Sequence, residues 1–285
     1  MKRVVITGAA GGVARLLRQE LGAAYHLRLT DRRSIADLRG DEDFVRADLR
    51  DLSEVEEALR GMDGVIHLGG VPGEDDWEML AEANITGTYN VFEAARRCDV
   101  PRVVFASSNH VVGFYPRAQT IDTAITVRPD SRYGVTKAVG EALGALYADK
   151  YGRAVTCLRI GWVKPEPTEL RDLSIWVSPR DLAQLVRIGL DHPDIHYEIL
   201  YGVSDNARSW WDGARARLLG YRPLDRAEDY ALAVLASAPP ADPSSVEELM
   251  QGGAFTSSEG GGHPRPAGQR GRLLRWWARR ADPHP

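Results

Sequence analysis

Thr7-Gly8-Ala9-Ala10-Gly11-Gly12-Val13-Ala14 is the stretch that decides the fold. It follows an apolar run at 3–7 and opens a helical pattern at 13–21. Gly8 permits a tight strand-to-helix turn, Gly11 lets backbone approach a pyrophosphate, and small Ala14 lets the helix pack closely on a sheet. Gly12 and Val13 then begin the helix, whose free N–H groups and positive dipole end suit phosphate. A glycine motif alone is weak, but in this strand–turn–helix setting it points to a dinucleotide site.

Further short apolar runs stand at 26–30, 44–47, 64–68, 102–106 and 155–160. They are nearly continuous rather than alternating, as strands covered on both faces are. Helical patterns fall between them at 55–59, 77–97 and 133–151, and Ser53-Glu54-Val55-Glu56 reads as a capping box for the first of these. The alternation predicts an α/β fold, a Rossmann-type doubly wound parallel sheet. After residue 160 the pattern changes. Pro165 and Pro167 mark a loop, Ser178-Pro179 starts a helix, and a strand at 196–201 and a helix around 210–219 follow. The expected organisation is a nucleotide-binding core over 1–160, a small substrate lobe over 161–255 packed on it, and a basic tail over 256–285. From Gly252 on, Gly, Pro, Ser and Arg dominate, so that tail is expected to be disordered. Its arginines around Leu273-Leu274 and Trp276-Trp277 also allow a short amphipathic helix, but a solvated extension is the preferred reading.

The 285 residues, 44% hydrophobic and 27% charged, are those of an ordinary globular protein, and a net charge of −4 gives no sign of a nucleic-acid partner. Cys98 and Cys157 each sit in or beside an apolar element and read as free thiols, which fits a reducing cytoplasm. No apolar run approaches the ~20 residues of a membrane span.

Asp31 ends the second strand, where a carboxylate accepts hydrogen bonds from the adenosine ribose. The same charge repels a 2′-phosphate, so NAD is favoured over NADP, although Arg32 and Arg33 offer that phosphate a partner. Asp48-Leu49 after the third strand and Leu68-Gly69-Gly70 after the fourth are placed to flank adenine and to pass under the cofactor. Both are also ordinary strand ends; the functional role is preferred because doubly wound sheets bind ligands there.

Tyr133-Gly134-Val135-Thr136-Lys137 sets a phenol and an ammonium on one helix face. A free phenol titrates near ~10, and a fixed positive charge nearby lowers that value. Such a pair suits removal of a proton from an alcohol while hydride leaves the same carbon. Ser108, at the end of the fifth strand, is placed to donate a hydrogen bond to a substrate oxygen.

With these residues the chain resembles the extended short-chain dehydrogenase/reductase superfamily, and more narrowly the uronate dehydrogenases. The narrower likeness rests on Ala106-Ser107-Ser108-Asn109-His110 with Gly113 and Tyr115, on Arg128-Pro129-Asp130, and on Tyr133–Lys137. It continues in Arg159-Ile160-Gly161, Pro165-Glu166-Pro167 and Trp210-Trp211-Asp212, and runs to about Phe255. The resemblance implies oxidation of the anomeric carbon of a cyclic hexuronate to a lactone by NAD. It implies Tyr133 as general base, Lys137 as its partner and ribose ligand, and Ser108 as hydroxyl donor. Asn109 and His110 would face the sugar hydroxyls, although His110 serves equally well as a packed strand-end histidine. Arg171 would pair with the substrate carboxylate through its bidentate fork. The family pattern has serines where Pro72 and Trp162 stand here, and tryptophan is expected to fill space that serine leaves open. A sugar phosphate such as glucose 6-phosphate, met by Arg171, is therefore the second substrate expected. A nucleotide-sugar epimerase and a non-catalytic dinucleotide sensor are the remaining alternatives. The small-molecule sugar acid or sugar phosphate is the partner expected, together with assembly as a homo-oligomer.

Overall fold

The computed structural model describes residues 1–258. Strands β1 (Lys2–Thr7), β2 (Tyr25–Asp31), β3 (Asp43–Arg46), β4 (Gly64–His67), β5 (Arg102–Ser108) and β6 (Ala154–Ile160) form, with a later strand, one parallel sheet. Two short strands, β7 (Trp162–Val163) and β8 (Trp176–Val177), pair apart from it, and β9 (Tyr197–Gly202) completes its edge in the order β3-β2-β1-β4-β5-β6-β9. The order reverses between β1 and β4, and such a reversal opens a crevice at the strand C-termini.

The continuous apolar runs follow from cover on both faces. In β1, Val4 and Ile6 join the core on one face, which includes Leu17, Leu21, Leu182 and Leu185, while Val5 joins the other with Val55, Val91 and Phe92. Each such side chain contributes about 1.5–3 kcal/mol when fully buried. The helices are α1 (Gly12–Leu21), α2 (Leu52–Leu59), α3 (Trp77–Leu80), α4 (Gly87–Arg97), α5 (Arg132–Tyr151), α6 (Asp172–Ile175) and α7 (Pro179–Asp191). Short helices α8 (Ala214–Leu218), α9 (Ala231–Ser237) and α10 (Val246–Leu249) follow.

Four expectations need correction. The segment 161–255 is not wholly peripheral, because β9 extends the main sheet and α7 packs on α1. Asp51, not Ser53, caps α2: its carboxylate accepts from the Ser53 and Glu54 amides at 2.9 and 3.2 Å, and Glu54 instead accepts from the Asp48 amide at 2.7 Å. The helix at 77–97 is interrupted by a π-helical segment, Ala81–Thr86, and Trp210 and Trp211 precede α8 instead of belonging to it. Ser178 does cap α7 with Pro179 in its first turn, and both cysteines are free. No helix among the described residues is long and apolar enough to cross a membrane. The expected basic tail, apart from its first three residues, lies outside the described residues.

Candidate active site

The glycine loop is shaped by its neighbours across the crevice. Gly8 has φ +67°, and a Cβ there would lie 2.6 Å from Gly69 Cα. A Cβ on Gly69 would in turn meet Leu49 Cδ1 at 2.5 Å. The two loops therefore touch through backbone. Gly11 caps α1 in an extended conformation and brings no side chain to its amides, while a Cβ on Gly12 would meet nothing within 4 Å. Bare, accessible N–H groups at a helix start fit a pyrophosphate.

Asp31 is 9% exposed at the end of β2. Its Oδ2 accepts from the Ala10 amide at 3.1 Å and its Oδ1 from the Arg33 amide at 2.9 Å. A carboxylate oxygen has two acceptor sites, so both oxygens keep capacity for ribose hydroxyls. Asp48 is gripped by Arg50, with Nη2 at 2.7 Å, which holds its pKa near 2. Asp48, Arg50, Glu82 and Thr86 line an open cavity of about 670 Å³. The Leu49 carbonyl is fixed by Asn90 at 2.8 Å, and Leu68 packs as a partly buried member of the core.

Asn84, which sequence reasoning passed over, joins the two halves of the site. Its Oδ1 accepts from the Val71 amide at 2.7 Å, and its Nδ2 donates to the Val71 carbonyl and to Thr136 Oγ1, each at 3.1 Å. It lies in the π-helical segment, a type of irregularity frequent at functional sites. The available signal was weak: an Asn inside a helical pattern that also carries Asn90.

At the end of β5 and the start of α5 the structure gathers Ser108, Asn109, His110, Tyr133 and Lys137, all 9% exposed or less. Ser131 caps α5, accepting from the Gly134 amide at 3.0 Å. The Tyr133 amide donates to Glu74 Oε2 at 2.9 Å, which fixes the first turn. Lys137 Nζ stands 5.6 Å from the Tyr133 ring centroid and donates to the Ala106 carbonyl at 2.8 Å. The Ser108 hydroxyl accepts from the His110 amide at 3.2 Å.

The electrostatics differ from the expectation that Lys137 sets a low Tyr133 pKa. Burial pushes the phenol up to about 12, and the negative charge of Asp130 adds to this, while the Ser108 hydroxyl pulls it down. Burial also lowers Lys137 to about 8. Excluding water disfavours both charged forms.

Arg171, just before α6, is partly buried. Its Nε and Nη2 donate to the Gln251 carbonyl at 3.2 and 2.6 Å, and burial lowers its pKa to about 10. Adjacent Asp172 is engaged instead by Lys164 at 2.7 Å, and Arg171 forms no ion pair among the described residues. Gln251, 1% exposed, also accepts from Trp211 Nε1 at 2.9 Å and donates to the Pro116 and Gln119 carbonyls. The strap it anchors carries Phe255, which stacks on His110 at 3.8 Å and lies 6.2 Å from Tyr133. Neither Gln251 nor Phe255 had a local signal. Trp162 does not fill a pocket: it is 46% exposed, with Lys164 over its ring at 5.0 Å, and Pro72 is exposed too.

The model of the NAD dependent epimerase/dehydratase family matches residues 4–163, more than half of the chain, and the chain belongs to that family. A uronate dehydrogenase of Pseudomonas syringae pv. tomato is 43% identical over 90% of this chain and 94% of its own. An NAD-dependent glucose-6-phosphate dehydrogenase of Haloferax volcanii is 36% identical over 80% of this chain and 95% of its own. Among solved structures, a mutant uronate dehydrogenase from Agrobacterium tumefaciens complexed with NAD matches with a TM-score of 0.87 at 38% identity, over 90% of this chain and 98% of that one.

Proposed function

We propose, with family membership as the premise, that this protein is an NAD-dependent uronate dehydrogenase, oxidising the anomeric carbon of galacturonate or glucuronate to the aldarolactone. The observation that carries the uronate reading is Arg171, a desolvated guanidinium with no ion-pair partner in the described structure, held by the Gln251 strap whose Phe255 lies beside Tyr133. A substrate carboxylate would supply the missing charge in bidentate geometry. The glycine loop with its uncapped amides and the Asp31 carboxylate are the parts suited to NAD, which when bound supplies the hydride acceptor.

Within that frame each side chain has a task. Tyr133, as phenolate, takes the proton of the anomeric hydroxyl. Ser108 donates a hydrogen bond to the same oxygen, where charge develops as the C–H bond breaks. Lys137 favours the phenolate while its carbonyl partner, Ala106, fixes its position. Asn109 and His110 meet ring hydroxyls, and water is excluded by the closely packed β5–α5 junction and Phe255. NAD is preferred over NADP because Asp31 faces the ribose. A homo-oligomeric cytoplasmic enzyme without a nucleic-acid partner completes the reading, in keeping with the net charge of −4 and the free thiols.

The test is NADH appearance with galacturonate, glucuronate and glucose 6-phosphate supplied separately. Turnover of a uronate is the expected result, and no turnover of any of the three would overturn the dehydrogenase reading. Turnover of glucose 6-phosphate alone would move Arg171 to a phosphate, a second reading supported by the Haloferax volcanii relative.

A further inference from the structure

His110 is enclosed from two directions. Asp130 Oδ2 lies 2.7 Å from its Nδ1, and Phe255 covers a face of the ring with 22° between the planes. His110 and Asp130 are 6% and 2% exposed. The other Asp130 oxygen accepts from Ser131 Oγ at 2.7 Å, and the Asp130 amide donates to the His110 carbonyl at 3.3 Å. Room for this carboxylate exists only because two glycines surround it. A Cβ on Gly113 would sit 1.7 Å from Oδ2, and one on Gly252 would sit 2.0 Å from it. Two segments distant in sequence thus shape themselves around one acidic side chain.

An ionised carboxylate only accepts hydrogen bonds, so the proton in this short contact belongs to Nδ1. A neutral imidazole with its proton on Nδ1 has a lone pair on Nε2. The Tyr133 and His110 ring centroids lie 6.0 Å apart with 70° between the planes, so the imidazole and the phenol are neighbours in one site.

We propose that Asp130 is a positioning residue that fixes His110 in the Nδ1–H tautomer, so that Nε2 accepts a hydrogen bond from a ring hydroxyl of the sugar and selects substrates bearing that hydroxyl. The proposal rests on the uronate dehydrogenase reading. A site built to bond a hydroxyl discriminates strongly against analogues that lack it, because its own polar group is then left unpaired.

The experiment combines Asp130→Asn, His110→Ala and the double variant in the full chain, after the wild-type protein has been shown to oxidise a hexuronate with NAD. Asp130→Asn should raise the KM for the uronate by about tenfold, as expected for loss of one hydrogen bond of about 1.4 kcal/mol, and leave the KM for NAD within about twofold. In the His110→Ala background the same change should have almost no further effect, since its influence passes through the imidazole. An equal loss in both backgrounds, or a parallel rise in the KM for NAD, overturns the proposal. Nitrogen NMR of the wild-type imidazoles, with His110 assigned by its loss in His110→Ala, reads the tautomer directly and does not depend on the folding of Asp130→Asn. A protonated Nδ1 with an unprotonated Nε2 is expected in the neutral imidazole; a neutral ring with its proton on Nε2 overturns the proposal. Failure of the wild-type protein to turn over any uronate would instead count against the functional reading itself.

Discussion

Lys137→Met should make the unliganded protein more stable while abolishing its activity. Lys137 is 6% exposed, and burial lowers its pKa from 10.5 to about 8. At ~1.36 kcal/mol per tenfold change in proton affinity, holding the ammonium in the folded state at pH 7 costs about 3 kcal/mol. Methionine has a similar length and no charge, but it leaves the Ala106 carbonyl without its donor, at a cost of about 1 kcal/mol. The net gain is about 2 kcal/mol, or about 5 °C in Tm for a chain of this size. The pH dependence carries the sharper test. Between pH 8 and 10.5 the unfolded chain binds a proton that the folded one has released, so the wild-type penalty is full below pH 8 and disappears as pH approaches 10.5. Thermal unfolding of both proteins across pH 7 to 10.5 should therefore show the variant's advantage shrinking to nothing and then reversing by the lost hydrogen bond. A variant that is less stable at pH 7, or a difference that does not change with pH, would refute the reasoning.

The same two values predict the rate profile. With Tyr133 near 12 and Lys137 near 8, kcat/KM should rise about tenfold per pH unit up to about 8 and then level off, because further phenolate is offset by loss of the ammonium. A sharp fall between pH 8 and 9.5 would contradict this. Tyr133→Phe should retain NAD binding, measured by fluorescence titration, and lose about 10²–10⁴ in kcat, the usual contribution of a general base. Asp31→Ala should weaken NAD relative to NADP by about tenfold, since it removes a ribose acceptor and uncovers Arg33, whose Nε lies 3.5 Å from Asp31. An unchanged ratio of the two KM values would contradict the ribose assignment.

What could be read from the sequence was what neighbouring residues determine together. Gly8, Gly11 and Asp31 announce a nucleotide site because a strand, a turn and a helix follow one another in the chain. Tyr133 and Lys137 announce a shared face because a helix places residues four apart side by side. The α2 cap is ambiguous in sequence for a local reason: Asp51 and Ser53 are both good caps, and Asp51 takes the position because its carboxylate reaches two amides at once. The π-helical segment was not legible because its cause is tertiary. Asn84 must face both Val71 and Thr136, and a regular helix is given up where it does so. The edge strand β9 was legible as a strand, but its place in the main sheet depends on pairing with β6, which no local pattern records.

The substrate end of the site is non-local throughout, and this explains why the reaction type is easier to read than its substrate. Arg171 precedes α6, Asp130 precedes α5, and Gln251 and Phe255 come last in the described chain, yet the Gln251 carbonyl holds Arg171 and Phe255 rests on His110. Gly253, with φ +60°, lets the strap turn beside Arg171: a Cβ there would meet Nε at 2.7 Å. A backbone carbonyl only partly offsets the desolvation of a guanidinium, and the lowered Arg171 pKa records the remainder. On the proposed function, an anion delivered by the substrate would remove that remainder. Because the penalty is already present in the free protein, an anionic sugar gains more at this position than a neutral one of the same shape. On the proposed function, the fold would then select for charge at the substrate's distal end by the same physical means, exclusion of water, that holds Tyr133 and Lys137 away from their ordinary pKa values.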